Sequence, residues 1–362
     1  MEAVGVNPGF WNGRRVFLTG HTGFKGSWLA LWLESMGAQV TGYGRAAIRN
    51  PHSLYELARV SEGIETVEGD VRDASALEAA VRGSGADVVM HLAAQPIVRR
   101  AYRDPTETFA VNVTGTVNLL DAVRAGGTAR SVLIVTTDKC YENVGLDRGY
   151  REDEPLGGAD PYSASKACQE LVAHSYRRSF GVPLATARAG NVIGGGDFAE
   201  DRLVPDAMRA AAAGEPVRVR NPDAVRPWQH VLCPLEGYLM LAERLHTAEG
   251  FDDAWNFGPR DDDALPVGRI VERLAELWPG GLSVEQAPEP DAPAEARTLR
   301  LDSTRARERL GWDPAWELER ALEEIVDWHA AHAAGADMRA KTMEQIARYD
   351  ASASATASAA AS

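Results

Sequence analysis

The segment TGHTGFKG, residues 19–26, decides the fold of this 362-residue chain. The residues just before it, 15–19, have the composition of a short buried strand, and residues 26–36 that of a helix buried on more than one side. Glycines three apart let the chain turn tightly and let backbone N–H groups approach an anion at the helix N-terminus. A strand, a glycine-rich turn and a helix in this order predict the first unit of a dinucleotide-binding fold.

The same alternation of strands and helices continues through the N-terminal half of the chain. The pattern predicts further strands at residues 39–43, 65–68, 87–92, 131–136 and 184–188, and helices at residues 74–81, 106–123 and 161–180. After residue 190 the strands become short, and a helix at residues 267–277 is separated from its neighbours by loops. We therefore predict an α/β fold, a Rossmann-like doubly wound parallel sheet followed by a smaller mixed α/β C-terminal substrate-binding lobe.

Three segments follow from this division. Residues 1–190 form the predicted dinucleotide-binding Rossmann domain, to which a segment near residues 227–258 returns. Residues 191–349 form the predicted smaller lobe. Residues 350–362 are dominated by alanine and serine, which bury little apolar surface, and we expect a disordered tail there.

Composition and charge exclude several functions. A formal net charge of -14 repels nucleic acids and anionic membrane surfaces, and no run of 18 uncharged apolar residues is present. Three cysteines without a C-x-x-C pair argue against a disulfide framework. His329 and His332 share a helix face without a third ligand nearby, so we expect exposed helix there and no metal. We expect a cytoplasmic protein with a small-molecule partner.

A second motif, Tyr162-x-x-x-Lys166, falls on the first turns of the helix predicted at residues 161–180. Residues four apart share a helix face, so the ammonium group of Lys166 can lower the pKa of the Tyr162 phenol towards neutrality. The pair alone occurs by chance in many helices. The preceding strand, however, places Thr137 at the carboxyl edge of the sheet, where ligands bind in such folds. Tyr162 is therefore a candidate general base.

These features together resemble the extended short-chain dehydrogenase/reductase family. Within it, seven segments are similar to the 4,6-dehydratases of the branch that acts on CDP-glucose. They are GHTGFKGSWL from Gly20, HLAAQP from His91, TDKCYEN from Thr137, DPYSASKACQELV from Asp160, ARAGNVIGGGDFAEDRLVPD from Ala187, RNPDAVRPWQHVL from Arg220 and WNFGPRD from Trp255. The resemblance extends over about residues 11–348.

The resemblance implies a lyase that converts a nucleotide-activated hexose to its 4-keto-6-deoxy sugar. Hydride passes internally from C4 to C6 and water is lost, so the nicotinamide cofactor is not consumed. The implied catalytic residues are Thr137, Asp138, Lys139, Tyr162 and Lys166. In the related dTDP-glucose enzymes the threonine is followed by an aspartate acid and a glutamate base. Here Lys139 replaces the glutamate, as in the CDP-glucose branch, and it either removes the C5 proton or only orients the hexose.

The resemblance also implies a cofactor site and a substrate site, and it makes the lobe of residues 191–349 the nucleotide-sugar-binding lobe. The cofactor residues are Gly20, Thr22, Gly23, Phe24, Gly26, Arg45, Asp70, Val71, Leu92, Ala93 and Ala94, with Tyr162 and Lys166. The second strand ends at Gly44-Arg45 without an acid for the ribose, so NAD is preferred and NADP stays open. Asp70 either accepts from the adenine amine or caps its own loop.

Six residues are expected to contact the substrate: Gln95, Arg99, Asn191, Arg202, Arg220 and Arg226. Among them, Arg226 would clamp the diphosphate with its planar fork, and Asn191 would contact the sugar phosphate. Asn112 is expected to support the active site, and Trp228 to belong to the core. The family commonly pairs two helices of each subunit, here residues 106–123 and 161–180, so we expect a homodimer or homotetramer.

Two other functions compete with this interpretation. A nucleotide-sugar 4-epimerase shares Tyr162 and Lys166 but returns the hydride to C4, and Asp138, the expected acid for elimination, argues against it. A redox-inert dinucleotide-sensing module has no reason to keep Thr137, Tyr162, Lys166 and Arg226 together.

Overall fold

A computed structural model describes residues 5–45, 52–287 and 299–360. The strands are β1 (Arg15–Thr19), β2 (Gln39–Gly44), β3 (Glu65–Glu68), β4 (Val88–His91), β5 (Ser131–Val135), β6 (Leu184–Ala189), β7 (Asn191–Ile193), β8 (Val217–Val219), β9 (Val225–His230), β10 (Ala254–Phe257), β11 (Ala264–Pro266) and β12 (Val284–Gln286). The α-helices are α1 (Pro8–Trp11), α2 (Phe24–Ser35), α3 (Leu54–Leu57), α4 (Ala74–Ser84), α5 (Val98–Arg103), α6 (Pro105–Phe109), α7 (Gly115–Gly126), α8 (Pro161–Phe180), α9 (Leu203–Ala213), α10 (Leu232–Thr247), α11 (Val267–Leu277), α12 (Leu318–Ala333) and α13 (Met338–Ala360).

Seven of these strands form one parallel sheet in the order β10-β6-β5-β4-β1-β2-β3. All six strands predicted from the N-terminal pattern are present, so the Rossmann-like fold is confirmed. The seventh strand, β10, lies within the segment expected to return to the sheet and pairs with β6 at Trp255 and Ala187. The exact domain boundary at residue 190 stays a prediction.

Helices cover both faces of this sheet, as the side chains of β1 illustrate. Val16 and Leu18 belong to one core cluster, together with Trp28 of α2 and Leu235 of α10. Phe17 points the other way, into the cluster formed with α4 and α7. The strands of a parallel sheet are buried on both faces, which explains why the consecutive residues Val16, Phe17 and Leu18 of β1 are all apolar.

A second group of elements follows β6. Strands β11, β9 and β7 form a three-stranded sheet, and β12 pairs with β8. Helices α9, α11 and α12 pack around them, and Trp228 is buried in their common core, as expected. Because β7 begins two residues after β6 ends, the small sheet starts at the carboxyl edge of the large one.

The C-terminal segment corrects one expectation. Residues 350–360 are not a disordered tail but the last part of α13, while residues 361–362 lie outside the described residues. The buried Tyr349 anchors this helix, and Trp316 donates a hydrogen bond to the Ser352 hydroxyl at 3.1 Å. Alanine is the strongest helix former, so a helix anchored at Tyr349 extends readily through an alanine-rich segment.

His329 and His332 correct a second expectation, because they are not exposed. His329 is buried against the rings of Trp328 and Phe198, and His332 stacks on Trp328. Burial lowers the pKa of His329 to about 3. Within the described ranges, no group of three His, Cys, Asp or Glu side chains could hold a metal ion, and no helix is long and apolar enough to cross a membrane.

The anchor of α13 should make stability depend on pH. The Tyr349 hydroxyl donates to Glu236, at 2.7 Å, and burial raises the pKa of Glu236 from 4.5 to about 8. A carboxyl whose pKa is higher in the folded chain weakens folding as pH rises between the unfolded and folded values, here from about 4.5 to about 8. We expect Glu236→Gln to be more stable than the wild type at pH 8 by a few kcal/mol, with little difference near pH 5.

Urea unfolding of the two proteins at a series of pH values measures this difference. Glu243→Gln, on the same helix but only partly buried, is the matched control. A stability difference between wild type and Glu236→Gln that does not change with pH would contradict the assignment.

Candidate active site

The loop between β1 and α2 forms a cradle that side chains would fill. Gly20 has a φ of +77°, and a Cβ there would lie 2.6 Å from the backbone nitrogen of Ala93. A Cβ at Gly26 would overlap the Gly20 carbonyl oxygen. Gly23 caps the start of α2 without a side-chain hydrogen bond. The backbone at the positive end of α2 is therefore open to a closely approaching anion, which fits the pyrophosphate of a dinucleotide.

Substituting Gly26 tests this cradle. We expect Gly26→Ala to weaken dinucleotide binding at least about tenfold, because the added methyl group forces the Gly20 turn away from the helix. Isothermal titration calorimetry with NAD measures the affinity. Gly83→Ala is the control, since it also adds a methyl group to a helical glycine but meets nothing within 4 Å. Equal affinities of the two variants would contradict the proposed cradle.

Arg45 and Asp70, which are expected at the far end of the cofactor site, follow β2 and β3. Asp70 is held by Arg72, whose Nε and backbone nitrogen donate to the carboxylate at 3.0 and 2.9 Å. Asp70 therefore caps its own loop, which is one of its two expected roles. The other role, a contact with the adenine amine, stays a prediction. Arg45 lies 3.7 Å from Glu107. Arg72 was not predicted; its position two residues after an aspartate, typical of a capped turn, was the available signal.

The loop after β4 connects the cofactor loop to α8. Ala93 donates its backbone N–H to the Thr19 hydroxyl at 3.2 Å. Gln95 binds its own surroundings: its amide nitrogen donates to Thr108, at 2.9 Å, and its side-chain oxygen accepts from the backbone of Ile97. The expected substrate contact of Gln95 is therefore a prediction that this arrangement does not favour.

Asn112 joins α8 to the loop after β4, a position compatible with its expected supporting role, which stays a prediction. Its amide donates to the Ser165 hydroxyl of α8, at 2.8 Å, and its side-chain oxygen accepts from the Gln95 backbone at 2.8 Å. The helix predicted at residues 106–123 is not continuous here, because residues Ala110–Thr114 are π-helical between α6 and α7. Single π-helical turns occur frequently at functional sites. The spacing of apolar residues in the sequence does not distinguish a π-helical turn from the α-helix on either side of it.

The turn after β5 places Thr137 and Asp138 together. The Thr137 hydroxyl donates to the Asp138 carboxylate at 2.9 Å and accepts from the Lys139 backbone at 3.4 Å. Asp138 is 3% exposed, and burial raises its pKa, although Lys139, Thr137 and Arg226 act in the opposite direction. A buried carboxyl group that tends to keep its proton is suited to protonate a leaving group.

Tyr162 and Lys166 lie in the first turns of α8, which Asp160 caps by accepting from the Tyr162 backbone at 2.9 Å. Both side chains are buried. The Lys166 ammonium donates to the carbonyl of Val135, at 3.2 Å, and burial lowers the pKa of Lys166 to about 7. Burial raises the pKa of Tyr162 to about 12. The expected lowering of this pKa towards neutrality is therefore wrong for the chain alone, because loss of hydration outweighs the nearby charges.

Two lysines lie near Asp138. Lys139, which follows it directly, is only partly buried. Lys25, which was not singled out, faces Asp138, Asp197 and Arg202, and burial lowers the pKa of Lys25 to about 8. The glycines of residues 19–26 predict a role for the backbone of this loop alone. The charged residue between Gly23 and Gly26 was the signal that a side chain of the loop also contributes to the site.

Four of the predicted substrate residues, Asn191, Arg202, Arg220 and Arg226, lie beyond β6, whereas Gln95 and Arg99 lie in the large domain on the loop after β4 and on α5. Three of the four arginines in this set pair with aspartates. Arg202 lies 3.1 Å from Asp197, while Arg220 and Arg99 lie 3.3 and 3.7 Å from Asp201. Arg226 donates to the Val225 carbonyl and acts electrostatically on Asp138.

The start of the small sheet comes close to the turn that holds Thr137 and Asp138, the proposed catalytic turn. Asn191 begins β7, in register with Trp228 of β9. A Cβ on the preceding Gly190 would lie 2.7 Å from Pro227 and 3.3 Å from the Asp138 carboxylate. The structure therefore brings Asp138 to the edge where the two sheets meet.

Comparisons with known proteins agree with this arrangement. A family model described as GDP-mannose 4,6 dehydratase matches residues 17–325. The CDP-glucose 4,6-dehydratase of Salmonella typhimurium is 48% identical over 355 residues, which cover 95% of this chain and 98% of that protein.

Two solved structures show the same fold. A UDP-glucose 4-epimerase from Thermotoga maritima, with UDP-glucose, has a TM-score of 0.77 and 22% identity, covering 88% of this chain and 99% of its own. A dTDP-glucose 4,6-dehydratase from Streptomyces venezuelae, solved with NAD, has a TM-score of 0.76 and 24% identity, covering 90% of this chain and 99% of its own.

Proposed function

The chain belongs to the GDP-mannose 4,6-dehydratase family within the extended short-chain dehydrogenases/reductases, and from this premise we propose that it dehydrates CDP-glucose to the 4-keto-6-deoxy sugar nucleotide. The observation that carries the proposal is the 48% identity to the Salmonella enzyme across nearly its whole length. The position of Thr137 and Asp138 in a turn that packs against α8, which carries Tyr162 and Lys166, supports the proposal.

Proton transfer at the 4-hydroxyl falls to Tyr162. When bound, NAD supplies the acceptor for the C4 hydride and the donor of that hydride to C6, and its oxidised form carries a positive charge that favours the Tyr162 phenolate. Tyr162 removes the hydroxyl proton, and the neighbouring Thr137 side chain acts to lower the pKa of the Tyr162 phenol against the effect of burial. Lys166 fixes the helix against the Val135 carbonyl and adds a positive charge when protonated.

Elimination of water requires one proton to leave C5 and one to reach the departing 6-hydroxyl. Asp138 is the proposed acid, because burial keeps its carboxyl group protonated more readily than in water. Lys139 follows directly and is the proposed base at C5, with orientation of the hexose as its alternative role. The carbonyl formed at C4 acidifies the C5 hydrogen, so a weak base suffices.

The diphosphate of the substrate fits the arginines of the small lobe. Arg226 lowers the pKa of Asp138 and Arg202 lowers that of Tyr162 electrostatically, which supports a position of both charges near the sugar. A diphosphate competes with Asp197 for Arg202 through bidentate hydrogen bonds. Arg99 and Arg220 both pair with Asp201 and can exchange it for the diphosphate in the same way. Asn191 supplies a side-chain amide to the sugar phosphate.

The proposed cofactor is NAD in preference to NADP. The Gly20, Gly23 and Gly26 cradle serves either dinucleotide, with Thr22, Phe24, Val71, Leu92, Ala93 and Ala94 lining it. Arg45 lies near Glu107, a partner that would oppose a 2′-phosphate electrostatically. Calorimetric titrations with NAD and NADP distinguish the two cofactors, and tighter binding of NADP would overturn this part.

We propose a homodimer or homotetramer as the assembly. The apolar side chains of Tyr102, Phe109 and Leu171, on α5, α6 and α8, are 48%, 37% and 59% exposed. Their position on adjacent helices fits pairing with a second copy. Light scattering of the purified protein measures the mass.

The test of the activity is incubation of the purified protein with NAD and, separately, CDP-, dTDP-, UDP- and GDP-hexoses. Loss of one water from CDP-glucose, measured by mass spectrometry, is the expected result. Water loss only from a hexose linked to another nucleotide would change the proposed nucleobase of the substrate. Unchanged mass with inversion at C4 would identify an epimerase.

A further inference from the structure

A buried ion pair lies directly behind the catalytic turn. Arg188 of β6 and Glu170 of α8 are 2.8 Å apart, with side chains 4% and 3% exposed. Glu170 is one helical turn beyond Lys166 and two turns beyond Tyr162 on the same helix. Charges this deeply buried are costly unless they are paired and hydrogen-bonded, so their contacts identify what the pair holds in place.

Glu170 binds the strand that leads into the catalytic turn. One carboxylate oxygen accepts a hydrogen bond from the Thr136 hydroxyl, and the other accepts from Thr186, at 2.7 Å, and from Arg188. Thr136 stands between Val135, whose carbonyl accepts from Lys166, and Thr137. The carboxylate therefore joins α8 to β5 at the residue next to the first catalytic side chain.

Arg188 holds the far end of the same turn. Its guanidinium donates to the Tyr141 hydroxyl at 2.7 Å and to the Glu152 carbonyl at 3.0 Å. The Tyr141 hydroxyl donates in turn to Asn256 at 2.7 Å. Residues 137–140 are thus attached at both ends to one buried network.

We propose that Glu170 is a positioning residue for the reaction: through Thr136 it holds the Thr137–Asp138 turn against the Tyr162 face of α8. This inference rests on the proposed function. Glu170 does not touch the reacting atoms. Its effect is to keep Asp138 and Tyr162, which come from different elements, in one geometry while the substrate changes from alcohol to ketone.

Two matched substitutions separate positioning from ordinary packing. Thr136→Val and Thr186→Val each remove one buried hydroxyl that donates to Glu170 and keep the side-chain volume. Thr136 precedes the catalytic turn, whereas Thr186 lies on the neighbouring strand β6. We expect Thr136→Val to lower kcat for water loss at least about tenfold with KM nearly unchanged, and Thr186→Val to change kcat by less than about twofold.

Hydrogen–deuterium exchange supplies a readout apart from activity. The backbone N–H groups of Cys140 and Tyr141 donate to carbonyls within the turn. Their exchange should accelerate in Thr136→Val and stay near that of the wild type in Thr186→Val. Thermal unfolding shows whether both variants are equally folded.

The outcomes separate the two proposals. A wild-type protein that releases water from none of the sugar nucleotides overturns the proposed function. An active wild type with equal kcat and equal exchange in the two variants overturns the positioning role and leaves the function intact. A rise in KM alone in Thr136→Val also overturns it, because it assigns the contact to substrate binding.

Discussion

Replacing Tyr162 with phenylalanine is expected to lower kcat for water loss by about three orders of magnitude, within the range that general acid–base groups contribute. The change removes one hydroxyl group from a side chain that is 8% exposed and leaves the ring in place. Asp160 still caps the helix, because it binds backbone N–H groups and not the phenol. The loss therefore reports proton transfer, and KM and cofactor affinity should stay close to those of the wild type.

The pH dependence gives an independent check of this role. Burial raises the pKa of Tyr162 to about 12 in the chain alone, so the ionised base is a minor form at neutral pH. A base with a raised pKa becomes more available as pH rises, so kcat/KM of the wild type should increase with pH below that value. The residual activity of Tyr162→Phe should lack this increase.

Tyr176→Phe is the matched control for this substitution, because Tyr176 lies on the same helix but away from the catalytic turn. It should keep wild-type kcat. A Tyr162→Phe variant that retains more than about a tenth of wild-type activity would contradict the assignment, since loss of a general base costs at least about a hundredfold.

The features that sequence analysis predicted well are local ones. The β1 strand, the glycine turn and α2 follow each other within a short segment, and each has a pattern that its neighbours do not obscure. The α8 bounds also agree, because Asp160 and Pro161 mark its start and Gly181, at φ +64°, follows its end. Such capping signals lie within a few residues of the structure that they predict.

The features that escaped prediction depend on contacts between distant residues. The Glu170–Arg188 pair joins residues on a helix and a strand, and no spacing rule links them. Gln95 had the chemistry of a substrate ligand, but Thr108 and Ile97 use its hydrogen-bonding groups. The pKa of Tyr162 depends on burial, which the Tyr162–Lys166 spacing does not reveal. The motifs allowed chemical roles to be assigned to residues. The burial of a side chain and its hydrogen-bonding partners could be known only from the folded structure.

Lys25 combines a local sequence signal with contacts between distant residues. The glycines around it predict the dinucleotide loop, yet its side chain reaches the neighbourhood of Asp138 and Lys166, residues more than a hundred positions away. Its positive charge lowers the pKa of both groups. The cofactor loop and the catalytic turn therefore share one electrostatic environment.

Replacing Asp138 with asparagine is expected to lower the rate of water loss by about two to three orders of magnitude while leaving oxidation at C4 possible. Asparagine has nearly the same shape and can still accept from the Thr137 hydroxyl, but it cannot give a proton to the departing 6-hydroxyl. Incubation with CDP-glucose and NAD in deuterium oxide separates the two steps. The ketone acidifies C5, so recovered substrate should gain one deuterium at C5 without losing water.

The companion variant Lys139→Met identifies the base in the same experiment. If Lys139 removes the C5 proton, Lys139→Met loses both deuterium incorporation and water loss, whereas Asp138→Asn keeps the incorporation. If Lys139 only orients the hexose, its variant keeps incorporation and shows a raised KM. Loss of deuterium incorporation in Asp138→Asn would overturn the assignment of Asp138 as acid alone, because it would place the proton transfer at C5 on Asp138 as well. Asp138 and Lys139 are adjacent in one turn, so only a readout that follows each proton separately can divide the roles between them.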